Sequence, residues 1–187
     1  MPGARSRPRP SSSSEPRTDR LLAYLERAAL AYLERHASSS ENLRNVLKRK
    51  LARRLRGADE EVAEDVRSRL IGEVVGKCVR ARLVDDALYA AGKVDTLRRK
   101  GGSARAIEAR LSAKGVARTT IAAALAETGD PAEAEWLAAH ARARRRRMGP
   151  YRVADRATFR DRDLAALARA GFAFDVARRV IDGYALT

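Results

Sequence analysis

A chain of 187 residues in which 34% are charged and only 5% aromatic must build its core from Leu, Val, Ile and Ala, which favours thin layers of packed helices over an aromatic-walled pocket. Its net charge of +15 points to an anionic partner, whether nucleic acid, an acidic protein surface or an anionic membrane. The single cysteine, Cys78, excludes an internal disulfide framework and a cysteine-based zinc site. No apolar run approaches the ~20 residues that span a bilayer, and the Arg-bearing N-terminus is followed by no hydrophobic signal segment, so the expected location is the cytoplasm. Six of the 39 basic residues are Lys and the rest Arg. Arg grips phosphate through a planar fork where Lys offers a point charge; a source genome whose base composition raises Arg and Ala together is the competing reading.

Residues 1–19 carry four of the six prolines (Pro2, Pro8, Pro10, Pro16), the run Ser11 to Ser14 and four Arg. Such a segment buries no apolar surface and is predicted to be a disordered tail. With Arg20 it holds only +3 of the charge, which leaves +12 on the folded part.

From Arg20 onward the pattern is helical, because β-branched residues never alternate over a strand length. A first helix is predicted over about 19–36, with Leu22, Leu25, Ala29, Tyr32 and Leu33 on one face. Ser38-x-x-Glu41 is a capping box for a second, over about 40–56, striped by Leu43, Val46, Leu47, Leu51 and Leu55 and stopped by Gly57. The third, about 59–82, buries Val62, Val66, Ile71, Val74, Val75 and Cys78. Asp85-Asp86 open a fourth over about 85–100, ended by Gly101-Gly102. Ser103 caps a fifth over about 104–114, stopped by Gly115, and a sixth covers about 117–127. Asp130-Pro131 with Glu133 starts a seventh over about 131–147, ended by Met148-Gly149-Pro150. The eighth and ninth cover about 160–170 and 174–184.

Two of these stretches repeat one another. IEARLSAKGVARTTIAAAL surrounds Gly115, and DLAALARAGFAFDVARRVI surrounds Gly171, 56 residues later. Each has a Leu four residues before the Gly (Leu111, Leu167), a large apolar residue after it (Val116, Phe172) and another ten after it (Leu125, Ile181). The nine helices divide into three groups of three, an all-α fold of three tandem three-helix repeats stacked into an elongated array. The expected boundaries are a tail at 1–19 and repeats at 20–83, 84–129 and 130–187.

The middle of the chain resembles the RecX family, bacterial regulators of the recombinase RecA. The resemblance rests on Leu83-Val84-Asp85-Asp86-Ala87-Leu88-Tyr89-Ala90, then Arg98, Arg99 and Gly101, then Ile107, Leu111, Lys114-Gly115-Val116, Ile121 and Ala124-Leu125. Family members show an apolar-Asp-Asp-x-x-aromatic-Ala element, a basic stretch with Gly, and L-x-x-K-G-apolar followed by I-x-x-A-L, in that order. Leu167 to Ile181 and Tyr24 to Leu51 also fit, so the resemblance covers roughly residues 20–185. Many relatives place Gly before the Asp-Asp element, where this chain has Arg82-Leu83. The resemblance implies a curved array and a monomer. It also implies binding to the RecA filament, with single-stranded or duplex DNA inside it, and modulation, usually inhibition, of strand exchange, ATP hydrolysis and coprotease activity. DNA repair, homologous recombination and the SOS response are the processes concerned.

Two basic clusters are candidate contacts. The first is Arg44, Lys48, Arg49, Lys50, Arg53, Arg54 and Arg56, with no acid between Asn42 and Ala58. The Leu stripe turns inward, so these charges cover the solvent face, and like charges at that density repel. A helix of ~16 residues is about 24 Å long, room for several phosphate contacts; the alternative is a solvated face. The second cluster is Arg142, Arg144, Arg145, Arg146 and Arg147. One or two cations satisfy a helix C-terminus; five exceed that. Arg98, Arg99 and Lys100 end the fourth helix in the same way.

Asp85-Asp86 read as a helix start rather than a metal site, and His36 and His140 lack ligand-spaced partners. Trp136 reads as a packing anchor rather than a stacking platform. Ala-rich second helices argue against reading of base edges. With no phosphate loop, no Ser-His or Cys-His constellation and no acid pair, the expectation is a non-enzyme without cofactor or metal. A basic nucleic-acid-binding protein with no dedicated protein partner needs only the charge, and a helical scaffold for acidic proteins is a third possibility.

Overall fold

A computed structural model describes the backbone of residues 15–56 and 62–183, and side chains from Arg17 onward within those ranges. Of the expected disordered tail, 1–19, residues 1–14 lie outside the described residues, as does the helix stop at Gly57, while Glu15–Asp19 belong to a helix instead. Within them every regular element is helical: α1 (Glu15–Leu33), α2 (Ser40–Leu55), α3 (Glu64–Arg80), α4 (Asp86–Arg99), α5 (Ala104–Ser112), α6 (Arg118–Ala126), α7 (Pro131–Arg146), α8 (Arg156–Arg169) and α9 (Phe174–Asp182). A single 3₁₀ turn, Gly149–Tyr151, follows α7. Three boundaries differ from expectation by four residues or more: α1 begins at Glu15 rather than about 19, α3 at Glu64 rather than about 59, and α8 at Arg156 rather than about 160.

The helices supply three separate cores. The first holds Leu25, Leu43, Leu47, Leu51, Ile71 and Val74, with Val84 at its margin. The second is small: Ala90, Val94, Ile107, Leu111, Val116, Ile121 and Ala124. The third combines Leu164, Leu167, Phe172, Val180 and Ile181 with Ala138, Ala139 and Ala143 of α7, whose small side chains let that helix approach closely. A fully buried Leu or Ile contributes about 1.5–3 kcal/mol, so each core rests on a handful of aliphatic side chains. This is the three-helix repeat plan.

The chain forms two compact units. Among the described residues, one comprises those up to Ser38 together with Asn42–Val84; the other comprises Ser39–Glu41 and those from Asp85 on. Within the second unit one two-point contact occurs twice. Ser103, the N-cap of α5, accepts the amide of Ala106 and donates its hydroxyl to the Ala170 carbonyl at 2.7 Å. The next amide, Ala104, donates to Glu135 Oε1 at 2.6 Å. Likewise the Ser39 hydroxyl donates to the Lys114 carbonyl, and the Ser40 amide donates to Asp86 Oδ1 at 2.7 Å.

Each accepting carbonyl precedes a glycine in the left-handed region, Gly115 (φ +73°) and Gly171 (φ +89°). Both close a Schellman end, with Val116 N–H donating to Leu111 O and Phe172 N–H to Leu167 O. A Cβ on Gly115 would lie 2.4 Å from Glu41 Cβ, and one on Gly171 would lie 2.7 Å from Ser103 Oγ. The repeated Leu-x-x-x-Gly pattern thus encodes both a helix stop and a docking point.

Candidate nucleic-acid interface

In the first unit the inward stripe of α2 leaves Lys48, Arg49, Arg53, Arg54 and Arg56 exposed, with Arg44 and Lys50 half-buried. The Arg54 guanidinium lies 5.5 Å from the Tyr24 ring centroid, and the Tyr24 hydroxyl reaches the Lys50 carbonyl at 3.4 Å. α2 therefore presents a solvated row of cations held by a packed apolar face.

The second unit brings together cations that are far apart in sequence. Gly101 ends α4 with φ +78°, and a Cβ there would lie 2.6 Å from the Arg142 amide nitrogen. Only glycine permits that approach, which seats the end of α4 against α7. Arg145 then donates from Nη1 to the Lys100 carbonyl. The result is a depression of about 290 Å³ lined by Lys100, Arg110, Arg142 and Arg145, with Leu97 and Ile107 beside them. A second depression, of about 550 Å³, is lined by Arg142, Arg146, Arg152, Arg162, Arg169 and Phe159. Arg142 lines both, so the two depressions adjoin on α7 and together make up a basic trough, one part walled by α4 and α5 and the other by α8.

Acids do little to neutralise the larger depression. Its carboxylate, Asp163, is 3% exposed and accepts from Arg152 Nη2 at 2.8 Å and from the Gly149 amide at 2.9 Å. Arg152 stacks 4.3 Å from the Phe159 centroid and Arg162 lies at 5.8 Å. Among the described residues, Arg142, Arg146 and Arg169 have no ion-pair partner. Burial, and then the charges of Arg146 and Arg145, pull the Arg142 guanidinium below its ordinary value. It stays protonated at neutral pH, so the trough carries uncompensated positive charge.

Of the second-unit cations expected from the sequence, Lys100, Arg142, Arg145 and Arg146 line the trough. Arg98 lies inside instead: its side chain is 11% exposed and donates to Glu135 Oε1 at 2.8 Å and to the Gly102 carbonyl. Arg99 pairs with Asp95 one turn earlier. Arg144 and Arg147 are exposed and line neither depression, and Arg147 adopts the left-handed conformation at the C-cap of α7. Arg110, Arg152, Arg162 and Arg169 escaped sequence reasoning. For the last two a signal existed, since Arg162, Ala166 and Arg169 follow helical spacing and share the face of α8 that lines the depression.

The remaining titratable groups have structural roles. Asp85 caps α4, accepting from the amides of Ala87 and Leu88, and Asp86 accepts from Ser40. Among the described residues no group of three or more His, Cys, Asp and Glu is placed to hold a metal ion. His140 packs against Trp136 at 4.1 Å between ring centroids, its Nδ1 lies 2.8 Å from the Tyr151 hydroxyl, and burial lowers its pKa. Trp136 is part of the third core. Cys78 is buried, which pushes its thiol pKa up.

Successive three-helix units bearing a polycationic trough define an all-helical tandem-repeat protein suited to an anionic partner. A family model described as the second three-helix domain of RecX matches residues 85–125. A regulatory protein RecX from Myxococcus xanthus is 38% identical, over 97% of this chain and 98% of its own length. Another from Agrobacterium fabrum is 32% identical, over 88% and 85% respectively. The crystal structure of RecX from Lactobacillus salivarius shares the fold, with a TM-score of 0.63 at 20% identity, covering 88% of this chain and 97% of that one. The chain belongs to the RecX family of regulatory proteins. Among the described residues no helix is long and apolar enough to cross a membrane.

Proposed function

We propose that this protein regulates RecA in the cytoplasm by binding, as a monomer, to the filament that RecA forms on DNA. The effect is to lower recombinase, ATPase and coprotease activity and so to restrain DNA repair. Family membership supports the choice of partner, and one observation supports the means: a trough whose arginines come from separate helices and, Arg152 apart, have no acidic partner among the described residues. Neutralising phosphates there releases counterions, and each Arg fork adds directional hydrogen bonds to phosphate or to carboxylates on the filament. The exposed cations of α2 are a second contact surface of the same kind.

Capture of RecA tests the partner. Tagged protein incubated with nuclease-treated bacterial lysate is expected to retain RecA. Retention of nucleic acid before nuclease treatment, with no RecA after it, would favour a general nucleic-acid-binding protein and overturn the proposal.

A further inference from the structure

We propose that the larger arginine-lined depression is a binding site for a compact oligophosphate, the chemistry carried by the phosphate chain of a nucleoside triphosphate or by free inorganic triphosphate. The site lies wholly in the third repeat. Arg142 and Arg146 project from α7, Arg152 from the segment after the 3₁₀ turn, and Arg162 and Arg169 from α8. These five arginines line one depression of about 550 Å³, equivalent to a sphere about 10 Å across. A nucleic-acid strand spreads one charge per nucleotide along its length. Arginines lining a single cavity match several charges gathered on one ligand, which planar guanidinium forks bind in pairs of parallel hydrogen bonds.

The site is also organised in advance. Asp163 holds Arg152 through both Nε and Nη2, at 3.3 and 2.8 Å, and Phe159 lies against the Arg152 and Arg162 guanidiniums. Fixing those groups before binding lowers the entropic cost of capture. Arg142, Arg146 and Arg169 have no anionic partner among the described residues to displace. The inference is independent of RecA, because the ligand is small and the site needs only this chain.

Calorimetric titration of the full chain at fixed ionic strength tests it, using inorganic triphosphate, ATP and AMP as probes. Triphosphate and ATP are expected to bind at least tenfold more tightly than AMP. Equal affinity for the first two would identify the phosphate chain as the sole determinant, and tighter ATP would add a nucleoside contact; both support the site. The double variant Arg162→Ala/Arg169→Ala is expected to lose at least tenfold in triphosphate affinity while keeping its ligand-free melting temperature. Arg118→Ala/Arg178→Ala removes the same charge from exposed positions outside the depression and is expected to bind as wild type does. Triphosphate and ATP affinities no better than that of AMP, or equal losses in the two double variants, would overturn the proposal. So would a defect of Arg162→Ala/Arg169→Ala confined to single-stranded oligonucleotides.

Discussion

Arg82 occupies a backbone position that glycine usually fills. At the end of α3, Leu83 N–H donates to Cys78 O and Arg82 N–H to Val79 O, the same Schellman pattern that closes at Gly115 and Gly171, yet Arg82 has φ 53°. A left-handed conformation costs an L-residue about 1–2 kcal/mol, and glycine gives back part of that through its freer unfolded chain. Arg82→Gly is therefore expected to raise stability by about 0.5–1 kcal/mol in urea denaturation; a loss would show that the arginine side chain contributes something the geometry does not reveal. Gly171 is the reverse case. Gly171→Ala would combine left-handed strain with a Cβ pressed on Ser103 Oγ, weakening its bond to the Ala170 carbonyl. We expect a loss of about 2 kcal/mol, whereas a change within about 0.5 kcal/mol would mean that the contact is readily relaxed.

α8 and α9 are joined by a two-bonded ion pair. Arg160 donates to Asp182 from Nε at 2.7 Å and from Nη2 at 2.8 Å, and these bonds hold the Asp182 carboxyl below its ordinary pKa, helped by the charges of Arg160 and Arg178. A depressed folded-state pKa stabilises above the unfolded value, about 4. That stability is lost as pH falls through the lower folded value. Wild type should thus lose melting temperature on acidification below about pH 4 more steeply than Asp182→Asn, measured by circular dichroism. Parallel curves would show that solvent screens the pair, whose Arg160 side chain is 42% exposed.

At this same scale the sequence was legible wherever a side chain does its own signalling. The caps Asp85, Ser103 and Asp130 all accept from the following turn, and the Gly115 and Gly171 ends fall where the repeat puts them. The start of α8 was not legible because Asp155, at its N-cap, is left-handed and makes no side-chain cap bond. α1 runs back past Pro16, which the tail's composition concealed; a proline in the first helical turn costs no intrahelical bond. The trough was only half legible. Its arginine run on α7 is local in sequence, but Arg110, Arg152, Arg162 and Arg169 join it through tertiary packing, and the commitment of Arg98 to Glu135 follows only from that packing.

For the whole molecule, the economy of three thin aliphatic cores matters less than where the charge falls. Several acids that pair with arginine link separate segments, as Glu135, Asp163 and Asp182 do, while Arg142, Arg146 and Arg169 have no ion-pair partner among the described residues. The Ser–carbonyl contacts at Gly115 and Gly171 recur within the second unit, so the same short sequence device twice docks a helix start on the end of another helix. The most direct test is a titration of the protein into a RecA ATPase assay driven by single-stranded DNA, run beside the variant Arg142→Ala/Arg145→Ala/Arg146→Ala. The account predicts that wild type slows ATP hydrolysis at substoichiometric amounts and that the variant needs at least tenfold more protein for the same effect. No inhibition by wild type across the full titration, or inhibition by the variant at the same concentrations, would contradict it.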